Sequence, residues 1–177
     1  TTTADVTIVD NTAPVFDPVN DLTVNCASGN ITTQVNNWIA AVTATDDCGT
    51  VTITNDFDPA TLSTTGCGTV TVTFIAADLC GNSATTTADV TIVDNTAPVF
   101  DPVNDLTVNC ASGNITTQVN TWIAAVTATD DCGTVTITND FDPATLSTTG
   151  CGTITVTFTA ADLCGNSATT TADVTIV

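Results

Sequence analysis

Aspartate and cysteine are the two residue types in this chain with chemistry to offer. All 19 acidic residues are Asp, and Lys, Arg, His, Glu, Met and Tyr are absent, so the net charge is −19. Carboxylates are hard oxygen donors of the kind calcium selects. For acid–base or covalent catalysis they need an orienting base or an activated nucleophile, and without His, Lys, Tyr or Glu the sequence offers no such arrangement. The inventory speaks against an enzyme. The eight cysteines fall at Cys26, Cys48, Cys67 and Cys80, and again at Cys110, Cys132, Cys151 and Cys164. Zinc favours closely spaced Cys pairs with His partners, and neither is present. Four widely spaced Cys per small domain predict two disulfides each and an oxidising exterior, with three pairings open. Each such bond typically adds about 2–4 kcal/mol to a modest core. With no Lys, a Lys–Asn isopeptide crosslink is chemically excluded.

The elements that position these residues come in copies. Shifting the sequence by 84 positions superimposes 1–84 on 85–168 with three differences, Asn37/Thr121, Val70/Ile154 and Ile75/Thr159. The phrase TTTADVTIV occurs three times, ending at Val9, Val93 and Val177. A period of this length marks a small domain rather than a solenoid unit of about 20–50 residues. The expected organisation is a last strand of a preceding repeat over 1–9, then repeats over 10–93 and 94–177, within a longer tandem array. VDNTAPVF, at 9–16 and 93–100, is then a joint between domains, stiffened by a Pro that fixes its own backbone angle. The charge balance excludes nucleic-acid binding by phosphate neutralisation and disfavours docking on anionic lipid. No apolar run reaches the roughly 18 residues of a membrane span, so no membrane insertion is expected of this segment.

Most of each repeat alternates with period two. In GTVTVTF (68–74), Val70, Val72 and Phe74 face one way and the threonines the other. The copies agree, since Val70 becomes Ile on the inner face while Ile75 becomes Thr on the outer. Similar patterns predict strands over 21–26, 41–45, 50–54 and 87–93, rich in the β-branched residues that suit a pleated surface. TQVNNWIAAV (33–42) instead has near-helical spacing and predicts a short helix or turn with Trp38 plugging the core. About seven short strands per repeat predict an all-β fold of tandem immunoglobulin-like antiparallel β-sandwich domains, each about 84 residues.

APVF, ATDDCG and GTVTVTFIAADLCGNSATTTADVTIV together resemble a hyalin-type (HYR) repeat. They resemble still more closely the Thr- and Cys-rich tandem repeats of giant Bacteroidota adhesins, such as gliding-motility and prey-capture filaments. The resemblance covers the whole repeat, with D-x-C-G-N as its most specific element, and implies an extracellular, cell-surface stalk module. In an immunoglobulin-type sandwich the turns after the second and sixth strands share one end. That places Cys48 with Cys80 and Cys26 with Cys67. The expected disulfides are Cys26–Cys67, Cys48–Cys80, Cys110–Cys151 and Cys132–Cys164.

The same geometry gathers acidic turns at each joint. Around the second repeat's start these are Asp94, Asn95, Asp130, Asp131 and Asp162, with Asp56 and Asp58 approaching from the far end of the first. Around the first repeat's start they are Asp10, Asn11, Asp46, Asp47 and Asp78. This donor set predicts calcium, and the Asp-Asn-x-x-Pro linker resembles the calcium-binding linker of cadherins without its Glu partners. A competing reading is a solvating acidic surface, with Asp46 and Asp78 capping turns. The expected function is the structural stalk of a long extracellular adhesin or filament, its partners being neighbouring repeats of the chain. The alternatives are repeats that themselves bind glycan or protein, or that bundle laterally into a homo-oligomeric filament.

Overall fold

The computed structural model describes residues 2–62, 66–146 and 151–177. The first repeat comprises β1 (Val15–Phe16), β2 (Leu22–Asn25), α1 (Ile31–Ala40), β3 (Ala44–Thr45), β4 (Thr52–Asn55), β5 (Gly68–Ala77) and β6 (Ser83–Val93). The second repeats this as β7 (Val99–Phe100), β8 (Leu106–Val108), α2 (Ile115–Ala124), β9 (Ala128–Thr129), β10 (Thr136–Asn139), β11 (Gly152–Ala161) and β12 (Ser167–Ile176). The chain divides into two compact units, with Gly68–Val93 in the first and Asp94–Val177 in the second. Gly66 and Cys67 cluster with the second unit although they belong to the first repeat.

Each unit is an immunoglobulin-like sandwich. A four-stranded sheet in the order β2-β6-β5-β4 faces the β1–β3 pair, and β8-β12-β11-β10 with β7–β9 follows the same plan. The long strands are antiparallel, with Val72 opposite Ala88 and Gly68 opposite Ile92. One edge departs from the expected all-antiparallel sheet, because β2 runs parallel to β6, pairing Leu22–Asn25 with Val90–Val93.

Alternation sets the core. Val72, Phe74 and Ala76 of β5 and Ala88, Val90 and Ile92 of β6 are buried, while Ile75 points out and is 42% exposed. Burying each large apolar side chain contributes about 1.5–3 kcal/mol. The outer face is held by Thr pairs and by Thr71 Oγ1, which donates to Asp89 Oδ1 at 2.7 Å. Six strands per repeat are formed among the described residues, against about seven expected, and most of 33–42 follows its 3.6-residue period as part of α1. Its Val35 is fully buried. Trp38 stacks edge-on against Phe74 at 5.4 Å, and its Nε1 donates to the Asn20 carbonyl at 2.9 Å. The helix starts after Asn30, which takes the left-handed conformation (φ 55°) that Asn tolerates better than most residues.

The third copy of TADVTIV behaves differently. Residues 2–9 form no strand, and Val6, Ile8 and Val9 are 89%, 83% and 69% exposed. In β6 the same residue types are paired on both sides by β2 and β5. A strand needs such partners to bury its apolar face.

Candidate metal centre

The turn after β5 carries the sequence DLCGN. Asp78 Oδ1 accepts the backbone N–H groups of Cys80 and Asn82, both at 2.8 Å. Asn82 Nδ2 donates to Asp78 Oδ2 at 2.7 Å and to the Asp10 carbonyl at 3.2 Å. The turn is thereby tied to the segment leading into the unit. Burial pushes the Asp78 carboxyl up, but the hydrogen bonds from Asn82, Cys80 and Gly81 together outweigh it and hold it below its ordinary value. The second unit repeats the arrangement with Asp162, Asn166 and the Asp94 carbonyl, and Asp162 is lowered by the same balance.

The lead-in segment supplies a second carboxylate. Asp94 Oδ1 accepts from the backbone N–H of Thr96 at 3.0 Å and from its hydroxyl at 2.7 Å. Asp10 does the same with Thr12, and those bonds, side chain first, hold Asp10 below the usual carboxylate range. The other oxygen, Oδ2, is buried without a hydrogen-bond partner in both Asp10 and Asp94. Asp94 as a whole is only 6% exposed. A buried carboxylate oxygen with no donor is costly unless a charge compensates it.

A further carboxylate lies beside that of the lead-in segment. Asp46 and Asp130 each accept the N–H of the Cys two residues on, at 2.9 and 2.8 Å. Ligand atoms of Asp10, Asp46 and Asp78 lie within 4.8 Å of one another in the first unit, as do those of Asp94, Asp130 and Cys132 in the second. Cys132 is disulfide-bonded, so its sulfur is not a thiolate ligand and the oxygen donors define the site. The donor set fits a hard divalent cation such as calcium: carboxylates converging from three segments in the first unit and from two in the second, an unsatisfied oxygen in each, and no thiolate or imidazole.

The remaining expected ligands divide by position. Asn11, Asp47, Asn95 and Asp131 are exposed in the same turns. Asp56 and Asp58 have other work. Asp56 Oδ1 accepts the Thr73 N–H at 2.8 Å, which lowers its carboxyl, and Asp58 caps a short 3-10 turn through the Ala60 N–H. Neither belongs to the two carboxylate clusters. Asn82, Asn166, Thr12 and Thr96 were not singled out in the sequence, although the DNT phrase and the Asn of D-x-C-G-N carried the signal.

The cysteine pairing differs from expectation. Cys67 is bonded to Cys164, 97 residues along the chain, with their Cα atoms 5.7 Å apart. Cys26 and Cys132 are also disulfide-bonded. Cys48, Cys80, Cys110 and Cys151 are exposed free thiols. Sheet order argues against Cys26–Cys67 and Cys110–Cys151. Asn25 pairs with Val93 and Gly68 with Ile92, so the two cysteines leave strands on opposite sides of β6. Two strand spacings come to about 9–10 Å, whereas a disulfide spans Cα atoms about 4.4–6.8 Å apart. Cys48 and Cys80 are not bonded to each other, and both are exposed free thiols. Asp10 first, then burial and Asp46, push the Cys48 thiol up. Cys132–Cys164 is precluded because Cys164 is taken by Cys67.

No protein-family model matches the chain. A protein of Acholeplasma phage L2, known as an uncharacterized 81.3 kDa protein, is 32% identical over 175 residues. The match covers 98% of this chain and 23% of the phage protein. Among solved structures, the chain is similar to Drosophila N-cadherin EC1-4, with TM-score 0.40 and 13% identity over 94% of this chain and 50% of that one. It is also similar to the protocadherin gammaB4 extracellular domain, with TM-score 0.39 and 18% identity over 93% and 34% of the two chains. The human desmocollin-1 ectodomain gives TM-score 0.35 and 13% identity over 96% and 38%.

Proposed function

We propose that the chain is a calcium-stiffened structural segment of a long extracellular adhesin or surface filament, holding a distal binding domain away from the cell. The observation that carries this reading is Asp94 Oδ2, buried without a donor beside a second carboxylate. Asp94 directly follows Val93, the last residue of β6. A cation there would tie the first residue after one sandwich to the turns of the next, which is where a tandem array needs to resist bending. The proposed repeat boundaries remain 10–93 and 94–177, after a preceding strand over 1–9. The hyalin-type, Bacteroidota-adhesin assignment is part of the same reading.

The tandem copies support a spacer, as does an inventory without catalytic bases. Disulfides support an oxidising, extracellular setting. Trp38 and Trp122 are committed to the core, each stacked on a Phe and bonded to a backbone carbonyl. That removes the aromatic anchors on which direct glycan or protein capture would rest. Calorimetric titration of calcium into EDTA-stripped protein tests the proposal. Two sites per chain, with a rise in thermal midpoint, are expected; no heat and an unmoved midpoint would overturn it.

A further inference from the structure

The free and bonded cysteines are distributed with a pattern. Cys67 of the first repeat is bonded to Cys164 of the second. Shifted by the 84-residue period, Cys67 becomes Cys151 and Cys164 becomes Cys80. Both of these counterparts are exposed free thiols. The chain therefore holds one closed copy of this bond and, separately, one unused copy of each half.

The closed copy sits in a built contact. Gly66 adopts φ +117°, and a Cβ there would lie 2.5 Å from the Cys132 carbonyl oxygen and 3.1 Å from Cys164 Sγ. The bare backbone at Gly66 is what lets Cys67 reach Cys164. Cys132 is 1% exposed, whereas its counterpart Cys48 is exposed. Cys164 is half-buried and its counterpart Cys80 is exposed. The turn that receives Cys67 in the second repeat is thus open in the first.

We infer that Cys80 and Cys151 are the two ends of a covalent daisy chain: Cys151 bonds the Cys80-type cysteine of a further copy of the repeat, reproducing Cys67–Cys164. In the test that copy is a second molecule of this chain. The oxidant is a small-molecule disulfide such as oxidised glutathione. The Cys151 thiolate attacks it, forming a mixed disulfide and releasing one glutathione thiolate. The Cys80 thiolate of the second molecule then attacks the Cys151 sulfur and releases the other. Two thiols lose two protons and two electrons, and the glutathione disulfide takes them up as two thiols.

The experiment uses the full chain with Cys48→Ser and Cys110→Ser, so that Cys80 and Cys151 are the exposed thiols remaining. Incubated with oxidised glutathione and run without reductant, this chain should form a ladder of multimers. Adding Cys80→Ser or Cys151→Ser should each abolish every species above dimer. Mixing those two variants should restore a heterodimer and nothing longer. Peptides from an Asp-specific protease, needed because the chain has no Lys or Arg, should show Cys80 joined to Cys151, with Cys67–Cys164 intact as the folding control. A chain that stays monomeric, or one whose mixture yields only symmetric Cys80–Cys80 and Cys151–Cys151 dimers, overturns the inference. So does a chain with all four free cysteines that oxidises only to an intramolecular Cys48–Cys80 bond.

Discussion

Replacing Asp94 by Asn should stabilise the calcium-free protein and at the same time remove most of its response to calcium. In EDTA the Asp94 and Asp130 carboxylates lie with ligand atoms within 4.8 Å. Two unit charges at that separation repel by about 3.5 kcal/mol at an effective dielectric of about 20. Asp130 is half-exposed, so salt and solvent reduce this to about 1 kcal/mol. Asn keeps an Oδ1 to accept from Thr96 and places an amide where Oδ2 had no partner. The second unit's thermal midpoint in EDTA should therefore rise by about 4–8 °C, the usual change per kcal/mol for a domain of this size. The wild-type unit, with calcium at about 100 times its Kd, should gain about 2.7 kcal/mol. Asp94→Asn removes a charged ligand and should lose most of that gain, and the stoichiometry should fall from two ions to one. Differential scanning calorimetry in EDTA and in calcium reads all of this, with the first unit as internal reference. A variant less stable than wild type in EDTA, with an unchanged calcium increment, would refute the reasoning.

Phe74→Ala should cost about 3–5 kcal/mol, since the side chain is fully buried and Trp38 stacks on it; urea unfolding measures this. Trp38→Phe keeps most of the packing but leaves the Asn20 carbonyl without its donor, and should cost about 1 kcal/mol in the same assay. The folded-state carboxyls of Asp78 and Asp162 lie below the ordinary 3.8. Their contribution is therefore present above that value and is lost as pH falls from it through the lower folded values. Asn82→Ala with Asn166→Ala should partly flatten the pH dependence of the thermal midpoint below about pH 4, because the side-chain amide bond, the largest lowering cause for both groups, is removed while the backbone N–H bonds remain. An undiminished slope would mean that other carboxylates dominate acid unfolding.

The strands were legible in the sequence because two rules agreed there. GTVTVTF alternates with period two, and the Ile75/Thr159 difference fell on the outer face, as Ile75's exposure shows. The α1 segment was legible from its broken alternation. The parallel edge was not, because the alternation in 21–26 says which face is buried and nothing about the direction of the neighbouring strand. The metal-site carboxylates could be named from turn chemistry. Separating Asp46 and Asp78 from Asp56 and Asp58 required the sheet edge that occupies Asp56. The disulfides were misread because strand-end logic places cysteines at the correct end of the sheet without counting the strand between them. Copy comparison could not help, since Cys67 and Cys151 have identical neighbours, yet Cys67 is disulfide-bonded and Cys151 is a free thiol.

The parallel edge has a mechanical consequence. Force applied to the ends of a repeat first meets the lead-in segment and the short β1–β3 pair, and behind them β2 and β6, two strands that run side by side in the same direction. Tension therefore drags them past each other lengthwise, loading every hydrogen bond between Leu22–Asn25 and Val90–Val93 together instead of peeling them apart singly. The repeat meets traction as a shear clamp, and its hydrophobic interior stays closed until that short ladder fails as a whole.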